Sequence, residues 1–566
     1  MKTGAAIAAM IGLLVTSQPR DERVTIHVHG GERRGPMSQM WAFFGYDEPN
    51  YTYTKNGKQL LSELSALSPV PVFVRAHNLL TTGDGSASLK WGSTNAYTED
   101  AAGRPIYDWT IVDRILDTYV QRGMKPLVEI GFMPQALSTN PNPYRHQWRA
   151  GPGAPPLYTG WTYPPKDYDK WRDLITAWAA HSVKKYGQRE VESWYWEVWN
   201  EPDIGYWHGT PEEYQKLYDY AADGLKRALP TARIGGPHVT GPNSARTQGI
   251  LQAFLEHCLR GTNYATGKIG SPLDYVGFHA KGAPRFVDGP STALGTGHVR
   301  MGVSNQLRAI ANGFRIVSSF PELRETPIII GESDPEGCAA CGVQTNPENA
   351  YRNGTVYSSY TAEQIARTYE LADLHKVNLR GSVTWAFEFE DQPYFAGFRD
   401  LATNGIDKPV LNVFRMLGRM LGDRVTVESS GALPLDLVRD TGVRDRPDVN
   451  ALASRSERTI AILVWNYHDD DVPAPPANVE LIVDGAEGRS VEVTHQRVDA
   501  THGNAYEAWR RMGSPQPPTK AQRAALERAG RLQPLAPPHR VNVEDGRVRL
   551  TFTLPRQGVS LVSLKW

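Results

Sequence analysis

The chain has 566 residues, which is enough for a large α/β barrel with accessory modules, because barrel domains occupy about 250 residues or more. Its 61 basic and 61 acidic residues balance, so neither nucleic acid nor an anionic membrane surface is indicated as a partner. The 15 Trp and 25 Tyr are many for this length and suit carbohydrate faces, whereas three Cys are too few for a disulfide framework.

The N-terminal region has the outline of a secretory signal peptide followed by a strand. Lys2 precedes a short apolar run from Gly4 to Val15, which is too short to span a membrane. We therefore predict a leader at residues 1–18 and a secreted or periplasmic protein. A disordered N-terminus is the alternative. Residues 23–35 then alternate apolar and polar side chains, which predicts a half-buried strand.

Between residues 36 and 422, short apolar runs alternate with longer amphipathic stretches, a pattern typical of a parallel α/β sheet. Eight strands are predicted, at 40–45, 71–75, 125–132, 193–199, 232–236, 273–279, 327–331 and 381–387. Helices are predicted between them, including 109–122, 168–186, 212–228 and 362–375. These units predict an α/β fold with a closed (β/α)8 TIM barrel. An open doubly wound sheet is the alternative, but no Gly-x-Gly-x-x-Gly follows the first strand.

The last part of the chain, residues 423–566, has β character. Segments rich in Val, Ile and Thr lie at 459–467, 478–483, 490–497, 547–554 and 558–564. Together with the N-terminal strand they predict an accessory β-sandwich built from both ends of the chain. A helical insertion is expected at about 503–530.

Two acidic residues stand where predicted strands end. Glu201 follows the run Trp194–Asn200, and Glu332 follows Pro327–Gly331. Either residue alone is more often a solvated loop residue than a catalyst. As a pair at the carboxyl ends of barrel strands, however, they match the two carboxylates that glycoside hydrolysis requires.

The chain resembles the clan A glycoside hydrolases, and among them family 39, which includes β-xylosidases and α-L-iduronidases. The resemblance rests on Trp199-Asn200-Glu201-Pro202-Asp203, the strand-final Glu332, His279 on strand six, the Trp385 strand and the segment 502–514. It covers essentially the whole mature chain. It implies an exo-acting, retaining β-xylosidase that acts on xylo-oligosaccharides, with α-L-arabinosidase as a side activity.

The resemblance also implies roles for individual residues. Glu201 would be the general acid/base and Glu332 the nucleophile. The other expected contacts all concern the reacting sugar: Asn200 at the 2-hydroxyl, His77 and His279 around the ring, Trp385 beneath it, Glu390 at other hydroxyls, and Phe132 at the end of strand three. No cofactor or metal is expected, because the two-carboxylate mechanism needs none. The oligosaccharide substrate is the only partner that the resemblance implies.

Lys281 departs from the pattern of many clan members, which carry a Tyr two residues after the strand-six His. The stretch His279-Ala280-Lys281-Gly282 is closer to α-L-iduronidases, in which a Lys binds the substrate carboxylate. A uronic acid glycon is therefore the alternative to xylose. A third possibility is that Lys281 only forms a salt bridge to Glu332 or Glu388. A non-catalytic carbohydrate-binding barrel is the alternative from a different class, and it is disfavoured because both carboxylates are retained.

Cys338 and Cys341 form a Cys-x-x-Cys just after Glu332. No second Cys/His pair with zinc-like spacing accompanies them. A small disulfide-closed loop is the first interpretation and a pair of free thiols the second. Cys258, on a predicted helix, is expected to be a buried apolar residue.

Overall fold

The computed structural model describes residues 23–287 and 297–566. The predicted leader at 1–18 lies outside the described residues. Within the described part of the chain, no helix combines the length and apolar character needed to cross a membrane.

Eight parallel strands close into a barrel, which confirms the predicted fold class. In chain order, barrel strands one to eight are Phe43–Tyr46, Phe73–Ala76, Lys125–Ile130, Tyr195–Val198, Arg233–Val239, Tyr275–Lys281, Ile328–Asp334 and Leu379–Trp385. Each pairs with its neighbours in sequence, and strand eight closes onto strand one through Val383 opposite Phe43. The carboxyl ends of all eight strands therefore share one rim.

The helices cover the outside of the barrel and the accessory part. Their bounds are Lys55–Ser65, Thr110–Val120, Tyr168–Tyr186, Gln188–Val191, Pro211–Ala228, Ala245–Arg260, Val303–Ser318, Thr355–His375, Pro409–Leu417, Leu435–Thr441, Ala505–Arg511 and Lys520–Gly530. Short 3-10 turns lie at Pro49–Tyr51, Gly160–Thr162, Pro321–Leu323 and Pro347–Asn353. Local sequence explains several helix starts. Thr210, for example, forms a reciprocal capping box with Glu213 before a Pro in the first turn.

One helix begins seven residues before the predicted start at residue 362. Thr355–His375 packs against the helix Pro409–Leu417 on one side and the accessory strand Thr459–Tyr467 on another. Its first part is buried nearly all round, so the sequence there lacks the polar face on which helical periodicity depends.

The accessory part is a nine-stranded, mostly antiparallel sheet. The spatial order of its strands is His539–Asn542, Ser490–Val498, Val559–Lys565, Thr459–Tyr467, Asp448–Arg455, Asp423–Ser429, Val24–Pro36, Ala477–Asp484 and Arg547–Leu554. Val491 and Val548 lie towards opposite ends of this order, yet both belong to one buried apolar cluster. The sheet therefore folds over on itself, as a sandwich does. Short two-stranded ribbons occur at Tyr97–Glu99 with Pro105–Tyr107, Arg285–Val287 with His298–Arg300, and Ala402–Thr403 with Ile406–Asp407.

The N-terminal strand lies inside this sheet. Val24–Pro36 pairs antiparallel with Asp423–Ser429 and parallel with Ala477–Asp484. Ile26 and Val28 are fully buried in the accessory core, whereas His27 between them faces outward. Both ends of the described chain thus build one hydrophobic core.

We expect Ile26→Ala to lower the free energy of unfolding by about 2–5 kcal/mol, because it removes buried methyl groups and leaves a cavity. Thr25→Ala, next to it on the outer face, should change that free energy by about 0.5 kcal/mol or less. Urea unfolding of the two variants measures the difference. Equal effects would show that the N-terminal strand does not belong to the accessory core.

Candidate active site

Glu201 follows barrel strand four and is held in an uncommon backbone conformation. Trp199 and Glu201 have φ angles of 72° and 43°, in the left-handed region that non-glycine residues seldom adopt. The turn is fixed by a hydrogen bond that the Glu201 amide donates to the His238 carbonyl at 3.0 Å. Strain of this kind persists where surrounding structure enforces it, which is common at functional sites. Here it directs the carboxylate back over the barrel mouth.

Glu332 lies within barrel strand seven rather than after it. Ile328, Ile329 and Ile330 are fully buried and anchor the strand in the barrel core. The predicted strand ends at Gly331, but pairing with strand six continues, with Glu332 opposite His279 and Asp334 opposite Lys281. The register shifts by one residue between Ile330 and Glu332, so Gly331 forms a bulge just before the polar end of the strand, which stays paired with strand six and buried.

The structure brings the two carboxylates together across the rim. One oxygen of Glu201 and one of Glu332 lie within 4.8 Å of each other and of a ring nitrogen of His279. His279 Nδ1 is 2.9 Å from Glu201 Oε1 and 3.8 Å from Glu332 Oε1. A retaining glycosidase needs its carboxyl groups about 5–5.5 Å apart, and this spacing is compatible with that requirement.

The surroundings shift the pKa values of Glu201 and Glu332 in opposite directions. Burial and the charge of Glu332 together raise the pKa of Glu201 well above its ordinary value. Burial also opposes ionisation of Glu332, but the charges of Lys281 and Arg75 outweigh it and hold the pKa of Glu332 well below its ordinary value. The two pKa values are thus separated in the direction that a general acid and a nucleophile require, with Glu201 the more readily protonated of the two.

Arg75 ties the site to the barrel interior. Its fully buried guanidinium donates to Glu332 Oε1 at 3.1 Å, to Glu197 Oε1 at 2.6 Å and to Asn200 Oδ1 at 2.9 Å. Glu129 lies 3.4 Å away, and Trp385 stacks 4.8 Å from the guanidinium carbon. Because Asn200 accepts from Arg75 through Oδ1, its amide nitrogen is left without a protein partner.

Lys281 contacts the predicted nucleophile directly. Its Nζ is 2.5 Å from Glu332 Oε2 and 2.8 Å from Asp334 Oδ1. Of the two salt-bridge partners considered for it, the structure shows Glu332. Glu388 lies elsewhere, where it accepts a hydrogen bond from the Gly405 amide at 2.5 Å.

His77 and Asp47 form a buried pair beside the site. His77 Nδ1 is 2.7 Å from Asp47 Oδ1, and Lys90 forms an ion pair with the other Asp47 oxygen. His77 Nε2 faces Arg75 at 3.1 Å. Burial lowers the pKa of His77, so this ring is neutral near pH 7.

The carboxylates open into a cavity of about 460 Å³ at the barrel rim. Four predicted site residues line it, namely Glu201, Glu332, Lys281 and Trp385. Its other walls include Asp47, Lys90, Trp148, Leu157, Tyr158, Ile204, Tyr206, Asn243 and Asn305. The ring of Trp385 can lie against strand one only because residue 45 is glycine: a Cβ there would stand 2.3 Å from a ring carbon.

Other predicted site residues lie behind this wall or away from it. His77, Asn200, His279 and Phe132 are fully or almost fully buried and are not among the residues that line the cavity. Glu390 lies near the start of the helix Lys55–Ser65, where it accepts from the Asn56 amide at 3.4 Å. Glu390 is therefore not among the residues that line the cavity.

Some residues of the site were missed from the sequence. Asp47 directly follows strand one, so the pattern of an apolar run ending in an acid could have identified it. Asp334 ends strand seven two residues after Glu332 and carries the same signal. Lys90 lies in a loop after strand two and far from any strand end, so nothing in the sequence indicated it.

Cys338 and Cys341 form a disulfide, as the first interpretation of the motif predicts. Cys338 borders the cavity, and the buried Arg352 donates to the carbonyls of Cys338 and Cys341 at 2.8 Å each. The loop that follows strand seven is thus held by a covalent link and by one arginine. Cys258 is buried, as expected.

Comparison with known proteins agrees with this geometry. The family description "Glycosyl hydrolases family 39" matches residues 73–548. The chain is 27% identical to a beta-xylosidase of Caldicellulosiruptor saccharolyticus over 75% of this chain and 76% of that protein. It is also 27% identical to an alpha-L-iduronidase of Mus musculus over 69% of this chain and 61% of that protein.

A solved structure has the same fold. A monomeric beta-xylosidase from Caulobacter crescentus CB15 superimposes with a TM-score of 0.73 at 21% identity, covering 96% of this chain and 99% of that one. The family match spans most of the sequence, and the paired carboxylates stand at the barrel rim where such enzymes carry their chemistry. The chain belongs to glycosyl hydrolase family 39 and is a glycosidase.

Proposed function

We propose that the protein is a retaining exo-β-xylosidase that removes β-D-xylosyl residues from the non-reducing ends of xylo-oligosaccharides, with α-L-arabinosidase as a side activity. The proposed mechanism rests on one observation: Glu201 and Glu332 lie close together, and their surroundings raise the pKa of Glu201 and lower that of Glu332. Similarity to β-xylosidases supports the choice of xylose. The cavity lies at the small end of the range for ligand sites, which suits a short saccharide.

In the first step, Glu332 attacks the anomeric carbon and forms a covalent glycosyl-enzyme. The bond to the leaving group breaks, and Glu201 gives its proton to the departing oxygen. In the second step, ionised Glu201 takes a proton from water, which attacks the anomeric carbon and releases Glu332. Inversion occurs twice, so the configuration of the sugar is retained.

The neighbouring residues have roles that follow from their contacts. Asn200 is oriented by Arg75, and its amide nitrogen has no protein partner but lies buried behind the cavity wall, so a contact with a sugar hydroxyl requires that wall to move when the substrate binds. Trp385 offers an apolar face beneath the ring. His279, which burial keeps neutral by lowering its pKa well below the ordinary value, positions Glu201 without adding charge.

A second candidate is a uronic acid glycon, favoured by the ammonium group of Lys281 in the cavity. Lys281, however, is already engaged by Glu332 and Asp334. A substrate carboxylate would have to displace one of them, whereas xylose leaves both contacts intact. For this reason xylose is preferred here.

We also propose that the protein works outside the cytoplasm. The predicted leader and the disulfide between Cys338 and Cys341 both suit an oxidising compartment. The protein would then degrade xylan fragments in the periplasm or outside the cell.

We expect Glu332→Ala to reduce kcat for nitrophenyl β-xyloside by about 10⁴-fold or more, because no nucleophile remains to form the covalent intermediate. Glu492→Ala, an exposed position on the accessory sheet, is the matched control and should leave kcat within twofold (about the scatter of such assays). Retention is checked by following the anomeric proton of the first product by NMR. Substantial turnover by Glu332→Ala, or an inverted product, would refute the assignment.

The pH dependence of kcat/KM should be bell-shaped. Activity needs ionised Glu332, whose lowered pKa places the acid limb below the ordinary range of a glutamate. It also needs protonated Glu201, whose raised pKa places the alkaline limb above that range. Activity is thus lost as pH falls through the first pKa and as pH rises through the second. A pH profile for wild type and for Glu201→Gln tests this, since the variant should lose the alkaline limb on a substrate with an activated leaving group.

Lys281→Met should move both limbs to higher pH, because the ammonium group lowers the pKa of Glu332 and of Glu201. On nitrophenyl β-xyloside the expected result is a displaced profile with activity retained at its new optimum. Activity on a nitrophenyl iduronide, measured for wild type and for Lys281→Met, distinguishes a uronic acid from xylose as the preferred sugar. A wild-type preference for the iduronide that Lys281→Met abolishes would favour the uronidase over the xylosidase.

A further inference from the structure

A second group of ligand-type side chains lies outside the barrel, on the outer face of the accessory sheet. His27 and His29 are two residues apart on the strand Val24–Pro36, and Asp484 ends the adjacent strand Ala477–Asp484. Because side chains alternate along a strand and Ile26 and Val28 face the core, both imidazoles lie on the opposite face. The parallel register places His29 beside Asp484.

The three donor groups converge on one point. One donor atom from each lies within 4.8 Å of the other two. His27 Nε2 is 2.6 Å and His29 Nδ1 is 3.6 Å from the same oxygen, Asp484 Oδ2. With zinc–ligand bonds of about 2.0–2.1 Å, the donors of a tetrahedral site stand roughly 3.3 Å apart. The two observed spacings differ from that value by roughly 0.7 and 0.3 Å, which side-chain rotation can supply.

The surroundings leave these donors available. Asp484 Oδ1 accepts from Arg547 at 2.9 Å, which leaves Oδ2 for the two imidazoles. His29 faces Asp484 Oδ2 through Nδ1, while its other ring nitrogen, Nε2, is buried without a hydrogen-bond partner and stands 3.6 Å from Glu428 Oε2. The side chains of His27, His29 and Asp484 are 26%, 21% and 28% exposed, so an ion can enter from solvent. Glu428 is 74% exposed and can swing in as a fourth ligand.

We propose that His27, His29 and Asp484 bind a divalent ion of the Zn²⁺ type, with Glu428 or water completing the coordination. Two imidazoles and a carboxylate are a donor set that zinc accepts and that Mg²⁺ does not favour. The ion would link the N-terminal strand to the strand Ala477–Asp484. It is structural in character and does not depend on the glycosidase mechanism.

Isothermal titration of the tag-free full chain with ZnCl₂ tests the proposal, with MgCl₂ as the ion control. We expect zinc binding that is lost in both His27→Ala and His29→Ala and is absent with magnesium. His181→Ala is the matched variant, because His181 also faces an aspartate, Asp113 at 2.8 Å, but has no second imidazole beside it. It should bind zinc as wild type does.

The catalytic cluster of Glu201, His279 and Glu332 could add a second zinc event. The two are distinguished because that event would inhibit hydrolysis and would persist in His29→Ala. Circular dichroism of each variant checks that it is folded. Absence of zinc binding by wild type, or titrations of His27→Ala and His29→Ala that equal wild type, would overturn the proposal, whatever the glycosidase assays show.

Discussion

The buried guanidinium of Arg75 is the interaction on which the active site depends. It joins the interior carboxylates Glu197 and Glu129 to Glu332 and to the side-chain oxygen of Asn200. Burial alone would disfavour the charged guanidinium, but these carboxylates outweigh that cost and raise the pKa of Arg75 further. A buried ion pair adds little net stability compared with apolar packing, so what Arg75 contributes is orientation and charge. It helps to lower the pKa of Glu332 and fixes the orientation of the Asn200 side chain.

Strand seven joins this network to the cavity wall. Asp334, two residues beyond Glu332, accepts from Lys281, from Arg399 at 2.7 Å and from the Trp385 amide at 3.0 Å. Asp334 thus positions both Lys281, which contacts Glu332, and Trp385, which lines the cavity. Because Asp334 contacts both Lys281 and Trp385, we expect a substitution of Asp334 to disturb the position of both side chains.

The sequence was most informative where its pattern was repetitive. The eight strands and their alternation with helices were predictable, because buried parallel strands read as apolar runs and surface helices as periodic ones. The helix Thr355–His375 was partly missed because it is enclosed by the barrel and the accessory sheet and has little polar face. The proximity of Glu201 and Glu332 could be predicted from the strand ends that they follow, whereas Lys90 comes from a loop whose position only the folded chain defines.

The position of Glu390 could not be predicted from its place in the sequence. Its distance in sequence from Trp385 is short, yet the chain turns away after strand eight and carries it to the helix Lys55–Ser65. Residue order predicts which strand end a side chain follows, but the path of the loop decides whether it faces the cavity. The predicted role of Glu390 rested on family resemblance alone, while those of Glu201 and Glu332 also rested on the strands that carry them.

Under the proposed function, the contacts of Lys281 also bear on which sugar the cavity accepts. A neutral pentose meets Glu332 with the cations Lys281 and Arg75 already beside it, so the charge balance that keeps the nucleophile ionised is preserved on binding. A uronate would bring another negative charge to Lys281, which is shared between two carboxylates. Arg399 also binds Asp334, so Lys281 could exchange Asp334 for a substrate at a smaller cost than losing Glu332. Under the proposed function, the choice of glycon would depend on how tightly Asp334 holds Lys281, and a neutral sugar would leave the observed contacts of Lys281 intact.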